Sequence, residues 1–418
     1  MKFYNSLFFI TLFCLFFLPY SLSYGAGFAI LQQGTAPMAQ GNAFTAQADD
    51  PTAIFFNPAG ISQLSGTSAY LGQTTIFPKV EYESDSYSEK TVKKVHIVPQ
   101  IYITHQLTND IYLGLGIFSP FGLSTPWDEE WAGRYLSTYS NLETYNINPN
   151  LCYKWNNISL SAGVNFLNAD LELKKKIFLG AFSDGKQTLT GDAWGVGYNF
   201  GLLYKFDDRI QAGLSYRSPI WLDFDDSKAR FDVPELMRSF FKTTSGSGSL
   251  ELPPSLNAGL SYAPTKSLAL EFDVTWTGWS TYDEMELKFD SPIGPPGKAS
   301  DRFIQPKKWE DVFAYRIGLR YGFSPVATLR LGFIYDNSPV PDETLDPQLP
   351  DADKMIYTAG IEYKWSNRLI TGIAYNYING RGRTKDNDVL PFLPEHLRAN
   401  GKYEQSVHSL GLSINYQF

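Results

Sequence analysis

From about residue 67 onward the side chains change character at every step, and a period of two belongs to a β-strand with two unlike faces. The C-terminal segment is the clearest. His408, Leu410, Leu412, Ile414, Tyr416 and Phe418 share one face, and Ser409, Gly411, Ser413, Asn415 and Gln417 share the other. Phe313, Tyr315, Ile317, Leu319, Tyr321 and Phe323 repeat this opposite Ala314, Arg316, Gly318, Arg320 and Gly322. Leu270, Phe272, Val274 and Trp276 do so opposite Glu271, Asp273, Thr275 and Thr277. Leu329, Leu331, Phe333 and Tyr335 face away from Arg330 and Gly332. A soluble sandwich more often turns its large apolar face to a core and its charges outward. A large apolar face backed by a small or polar one suits a wall between lipid and water.

Fourteen such segments are expected, at roughly 67–83, 93–106, 111–119, 143–154, 157–177, 193–206, 209–224, 254–264, 268–288, 309–323, 326–336, 354–365, 368–378 and 405–418. Their connections alternate. Short ones centre on Asn109-Asp110, Asn156-Asn157, Asp207-Asp208, Thr265-Lys266, Ser324-Pro325 and Ser366-Asn367. Long ones fall at about 84–92, 120–142, 178–192, 225–253, 289–308, 337–353 and 379–404. Six tight turns on one side and seven long loops on the other fit an even-stranded barrel with both ends in the periplasm. Open sheet edges are not tolerated in hydrocarbon, so the set must close on itself. Pro99 and Pro149 lie inside expected strands, where a missing N–H removes a ladder bond. Either the boundaries shift there or the strands bend and leave a local defect in the wall.

The N-terminus reads as a secretory leader over residues 1–25. Lys2 precedes an apolar run from Leu7 to Leu18, then Pro19, and Ser23 and Gly25 are the small residues ahead of Ala26. After residue 25 no apolar segment approaches the 18 or so residues of a membrane helix. The low charge, 19% Asp, Glu, Lys and Arg, with 30 Phe, 26 Tyr, 9 Trp and 34 Gly, agrees with a wall whose interfaces carry aromatics. Net charge is −8 and the pI about 5.2, and the triplet Lys174–Lys175–Lys176 is isolated, so nucleic acid is a poor partner. Cys14 lies in the leader and leaves Cys152 alone, which removes an intramolecular disulfide and any cysteine-rich metal site.

Residues 26–66 do not alternate. They are rich in Gly, Ala, Gln and Asn, with Gly34, Gly41, Ala43, Ala46, Ala48 and the compact Phe55-Phe56-Asn57-Pro58-Ala59-Gly60. A fourteen-stranded lumen is open unless filled, and small, amide-bearing residues suit a folded plug inside it; a periplasmic linker is the other reading.

The ordered set of motifs resembles the outer-membrane long-chain fatty acid transport proteins, a family that also contains aromatic-hydrocarbon uptake channels. Ala26-Gly27-Phe28 is similar to the family's mature start and Asn57-Pro58-Ala59 to the motif closing its hatch. Trp276-Thr277-Gly278-Trp279-Ser280 resembles its tryptophan–serine strand. Ala314-Tyr315-Arg316-Ile317, then Gly332-Phe333-Ile334-Tyr335-Asp336-Asn337-Ser338-Pro339-Val340-Pro341, resembles its most specific signature. The resemblance covers essentially the whole mature chain. It implies an all-β, 14-stranded antiparallel transmembrane barrel, residues 67–418, with an N-terminal hatch, residues 26–66, plugging the lumen. It also implies capture in an apolar loop groove, a tighter pocket at the hatch's first residues, and sideways release through a gap made by a kinked strand. Pro99, Pro149 and Gly114-Leu115-Gly116 are where such a gap is looked for, with no residue assigned.

The candidate ligand residues of the hatch are Phe28, Ile30 and Leu31, with Asn57 and Pro58 as the turn that seats it. An entrance groove is expected from Phe121, Leu123, Trp127 and Trp131 in the second long loop. A short amphipathic helix between Val233 and Phe241, with Leu236, Met237 and Phe240, is its expected other wall; ordinary loop packing is the alternative. Arg316, Arg320 and Arg330 face the lumen with Glu271, Asp273 and Glu362, either as an ionic network fixing the plug or as contacts for a carboxylate head. Catalysis is not expected. The histidines are His96, His105, His396 and His408, and no Gly-x-Ser-x-Gly elbow or metal-binding cluster accompanies them. The expected protein is a monomeric channel of the Gram-negative outer membrane, bathed in lipid and lipopolysaccharide and needing no cofactor or metal. Its expected cargo is a long-chain fatty acid, with an aromatic hydrocarbon as the alternative and a general diffusion porin as the more distant one.

Overall fold

The computed structural model describes residues 27–295, 297–387 and 394–418; the expected leader lies outside them. Among the described residues fourteen antiparallel strands close into a barrel. They are β1 (Thr67–Glu83), β2 (His96–Gln106), β3 (Ile111–Phe118), β4 (Tyr139–Trp155), β5 (Ile158–Ile177), β6 (Gly185–Lys205) and β7 (Ile210–Arg217). The second half is β8 (Ser255–Thr265), β9 (Leu268–Thr277), β10 (Val312–Gly322), β11 (Ala327–Asp336), β12 (Lys354–Lys364), β13 (Leu369–Lys385) and β14 (Gly401–Gln417). Each strand pairs with its neighbours in sequence, and β14 returns to β1 from Ser68↔Gln417 to Glu83↔Lys402. That seam removes the last free edge, as hydrocarbon requires.

The period of two becomes the two surfaces of the wall. Phe313, Tyr315 and Ile317 stand exposed on the outside while Arg316 between them is buried in the lumen. Trp155, Phe206, Phe323, Trp365 and Phe418 are exposed at the ends of strands beside the tight turns, where aromatic rings mark a membrane interface.

Two expected strands differ from the reading. The stretch 268–288 breaks at Gly278, where a 3-10 turn, Trp279–Thr281, ends β9. The continuation Glu284–Ile293 leaves the barrel and pairs with Ser300–Pro306 as an outer hairpin. The stretch 209–224 breaks at Ser218-Pro219, where proline cannot donate. Pro149, by contrast, stays inside β4. The β4–β5 register skips Asn148 and Pro149, and the Asn148 side chain donates to Val164 O at 2.8 Å, an amide replacing the proline's missing one.

Residues 27–66 fill the lumen as two short helices, α1 (Thr35–Ala39) and α2 (Ala53–Phe56), and a 3-10 turn, Pro58–Gln63. Asn57 builds that turn. Its Oδ1 accepts from Ala59 N while its Nδ2 donates to Thr45 O within the hatch and to Leu202 O in the wall. The close approach needs glycine on both sides. Gly41 has φ +65° and lies against the backbone of Gly332, where a Cβ on either would meet main-chain atoms.

Candidate functional site

The wall is interrupted beside β3. This strand ends at Phe118, and after Ser119-Pro120 the chain resumes as Gly122–Pro126, which pairs with β4 alone. The β2–β3 ladder runs only from Gln106↔Tyr112 to Ile101↔Ile117, although β2 continues up to His96. Pro99 sits in that unpaired length, and Pro120 has no N–H to offer it. Above the break Val92 N donates to Pro126 O at 2.7 Å and Lys94 Nζ to the Tyr139 hydroxyl at 2.5 Å. The result is a window bounded above and below. Gly114 and Gly116 lie below it, and both give room to the Ile54 side chain of the hatch.

Residues 28–33 of the hatch occupy the window. Ile30 N donates to Pro120 O at 2.8 Å and Gly122 N to Phe28 O at 2.9 Å, so Ala29 and Phe121 form an antiparallel bridge. Gln33 Nε2 donates to Ser119 O at 2.5 Å. A cavity of about 470 Å³ follows Gly27 to Gln32, and its lining includes Ile97 and Tyr145, which are exposed on the outer face. The passage crosses the wall.

Phe28 points the other way, into a cage of rings. Its centroid lies 4.7 Å from Trp279, 5.7 Å from Trp309, 6.0 Å from Phe121 and 6.2 Å from Tyr282. Above it a cavity of about 80 Å³ is lined by Leu123, Leu142, Leu171, Leu173, Leu189 and Leu287. An outer cavity of about 180 Å³ shares Leu173, Leu189, Met285 and Leu287 and reaches Lys175 and Arg302 among the loops. Lys175 Nζ stands 4.7 Å over the Phe303 ring, and among the described residues no carboxylate lies within ion-pair distance of it. Lys307, in the loop ahead of β10, is different. Burial alone would push its ammonium down, but Asp346, 2.7 Å away, outweighs that and holds it above its ordinary range.

Below Phe28 the hatch is bound to the wall by charge. Asp273 accepts from Phe44 N and Thr45 N, and Glu271 from Ala46 N and Gln47 N, at 2.7–3.0 Å. Arg320 meets Asp49 at 2.5 Å, and Arg330 bridges Glu362 at 2.7 Å and Gln40 at 2.6 Å. Arg316 donates to Thr275 and Asn257.

The structure therefore brings Phe28, Ile30, Leu31, Phe121 and Leu123 together and sends other expected groove residues elsewhere. Trp127 and Trp131 stack at 4.1 Å inside a separate loop core, with their indole N–H groups spent on Pro347 O and Ser137 O. They are packing residues, because two flat rings bury most apolar area against each other. The expected helix over 233–241 is only a 3-10 turn, Glu235–Met237, after Pro234. Leu236 is 74% exposed, and Leu236, Met237 and Phe240 line none of the cavities above. Lys175, Trp279, Tyr282 and Trp309 are not among the site residues expected from sequence, although Trp279 stands in the tryptophan–serine motif and Lys175 in the lysine triplet. A signal existed: from Leu167 to Lys175 the alternation inverts, with Leu167, Ala169, Leu171 and Leu173 inward and Asp170, Glu172 and Lys174 outward.

Known proteins agree with this architecture. The family model described as outer membrane protein transport protein (OMPP1/FadL/TodX) matches residues 21–418. The long-chain fatty acid transport protein of Escherichia coli K12 is 24% identical over 442 residues, covering 95% of each chain. That of Salmonella typhi is 25% identical over 433 residues, again covering 95% of each. Among solved structures, a Pseudomonas aeruginosa FadL homologue superposes with a TM-score of 0.80 at 19% identity, over 94% of this chain and all of that one. The P. putida toluene transporter TodX gives 0.73 at 17% identity, over 92% and 98%. This chain belongs to the FadL family of the Gram-negative outer membrane, and is a passive channel for hydrophobic small molecules rather than an enzyme.

Proposed function

We propose that the channel takes up long-chain fatty acids, capturing them among the outer loops and releasing them sideways through the window beside β3. The observation that carries this is the inverted stretch of β5. Leu171 and Leu173 make an apolar track toward Phe28, and Lys175, a cation with no carboxylate partner among the described residues, stands at its outer end. An apolar tail on that track is stabilised by about 0.8 kcal/mol per buried methylene. The ammonium meets the carboxylate in a charge-assisted contact. Phe28 then stops the track, and moving it connects the upper cavities with the window. Lateral exit spares the tail a passage through periplasmic water.

The cage around Phe28 favours a second reading, an aromatic hydrocarbon, because flat rings pack edge to face in such a cage without needing a cation. One assay separates the two. A fluorescent fatty acid bound to the purified protein is expected to be displaced by palmitate far better than by toluene, and Lys175→Gln is expected to weaken palmitate several-fold while sparing its alcohol. Displacement by toluene alone would install the second reading, and displacement by neither would remove both.

A further inference from the structure

A third lumen cavity, of about 90 Å³, lies on the periplasmic side of Phe28, between the hatch and β4 to β11. Its apolar lining comes from Leu31, Phe56, Phe121 and Leu167, which is unremarkable for this protein. Its cations are not. Arg217 and Arg316 both line it.

Arg217 is sandwiched between the rings of Phe55 and Phe118, at 4.9 and 5.4 Å. Its guanidinium donates to Ile54 O, Phe55 O and Asn165 Oδ1, all neutral acceptors. Among the described residues it has no carboxylate partner, and its Nε–H and one Nη1–H are left over from those three bonds. Arg316 is only 4% exposed, and its Nε–H is buried with no partner at all. Asn146 also lines the cavity, with its Nδ2 donating to Asn165 Oδ1 at 2.9 Å. A buried donor on a cation that bonds nothing is costly, and the cost disappears when an anion takes the place. Asp336 lines the same cavity, and Asp336 and Asp273 both act on the charge of Arg316, so the guanidinium without a carboxylate there is that of Arg217.

We infer that this cavity is a second anion subsite, which receives the carboxylate head of an amphiphile once it has passed Phe28. The cavity shares Ala29, Leu31, Phe121 and Asp336 with the passage through the window, so a head held at the two arginines leaves the tail beside the opening in the wall. Transfer is then a handover between two cations, Lys175 above the stopper and the arginine pair below it. The inference rests on the fatty acid reading and adds a site to it.

Equilibrium dialysis of the full-length protein in a nonionic detergent, with radiolabelled dodecanoate and dodecanol as probes, tests it. Wild-type protein is expected to hold two dodecanoates, with one lost in Lys175→Gln and the other in Arg316→Gln. Arg316→Gln also removes contacts to Thr275 and Asn257, so Asn146→Asp supplies an independent variant that puts a negative charge into the cavity at constant size. It is expected to weaken the lower site for dodecanoate about tenfold or more, the worth of one charge-assisted hydrogen bond, and to leave dodecanol unchanged. A single dodecanoate, lost in Lys175→Gln and indifferent to Asn146→Asp, overturns the second subsite and keeps the fatty acid reading. No dodecanoate bound at all overturns both.

Discussion

The two ends of the hatch are attached by different physics. From Gln40 to Gln63 the plug is tied by acidic and basic side chains of the wall. Four consecutive amides, Phe44 to Gln47, end on two carboxylates, and Arg217, Arg320 and Arg330 grip it from the facing strands. From Gly27 to Gln33 it is held mostly by neutral bonds and by ring packing around Phe28, with a single bond to a carboxylate, Gly27 N to Asp351 at 3.2 Å. Hydrogen bonds to charged groups are worth about 1.5–3 kcal/mol each and neutral ones about 0.5–1.5. A molecule meeting the plug from outside therefore moves its tip long before its body. On the proposed route, one covalent segment would serve as both fixed stopper and movable gate.

The largest expected effect comes from breaking the fixed end. Replacing Glu271 and Asp273 together by Ala leaves four hatch amides without acceptors, a loss of several kcal/mol. Planar-bilayer recordings are expected to show open steps in the double variant where the wild-type channel is quiet. A silent double variant would mean that these carboxylates do not hold the plug.

A smaller effect, confined to the tip, is expected from Phe28→Ala. Truncating a buried Phe costs about 3–5 kcal/mol in a closed core, part of which relaxation returns here. Affinity for the fluorescent fatty acid is expected to fall about tenfold or more with conductance unchanged. If conductance rises as well, tip and body are one unit and the contrast fails.

The mildest test is Gly122→Val. A Cβ at Gly122 would meet the end of Ile30, so the variant pushes on the bridge without removing a bond. Hydrogen exchange is expected to quicken at the Ile30 and Gly122 amides and to stay slow from Phe44 to Gln47. Equal quickening in both places would show that the bridge supports the whole hatch.

Much of this was legible before the fold was known, because lipid on one side and water on the other writes a period of two that survives sequence drift. The plug showed itself by lacking that period. The window was half visible: Pro99 marks a missing donor in the sequence, but so does Pro149, which leaves no gap, and only the register shows that Pro99 and the loop residue Pro120 border the same break. Pattern failed where it continued past its cause. Met285 and Leu287 alternate with Glu284, Glu286 and Lys288 as in a wall strand, although the chain has already turned out of the wall at Trp279 and their phase is opposite to that of β9. It failed again at Trp127 and Trp131, since aromatic density in a loop does not say whether rings face a ligand or each other. Lys175 is masked in the sequence by Lys174 and Lys176, a triplet that says only that it is too isolated for nucleic acid, while alternation alone points Lys175 inward and its neighbours outward.

The bridge between Ala29 and Phe121 has a consequence for leakage. On the proposed lateral route, an oily solute that displaces the tip offers no partner to Pro120 O or Gly122 N, so each passage would strand polar backbone at the edge of the hydrocarbon for as long as it lasts. Reclosure is then downhill. The barrier property of such a membrane does not depend on a narrow bore; it depends on an aperture whose open form is always the less stable one.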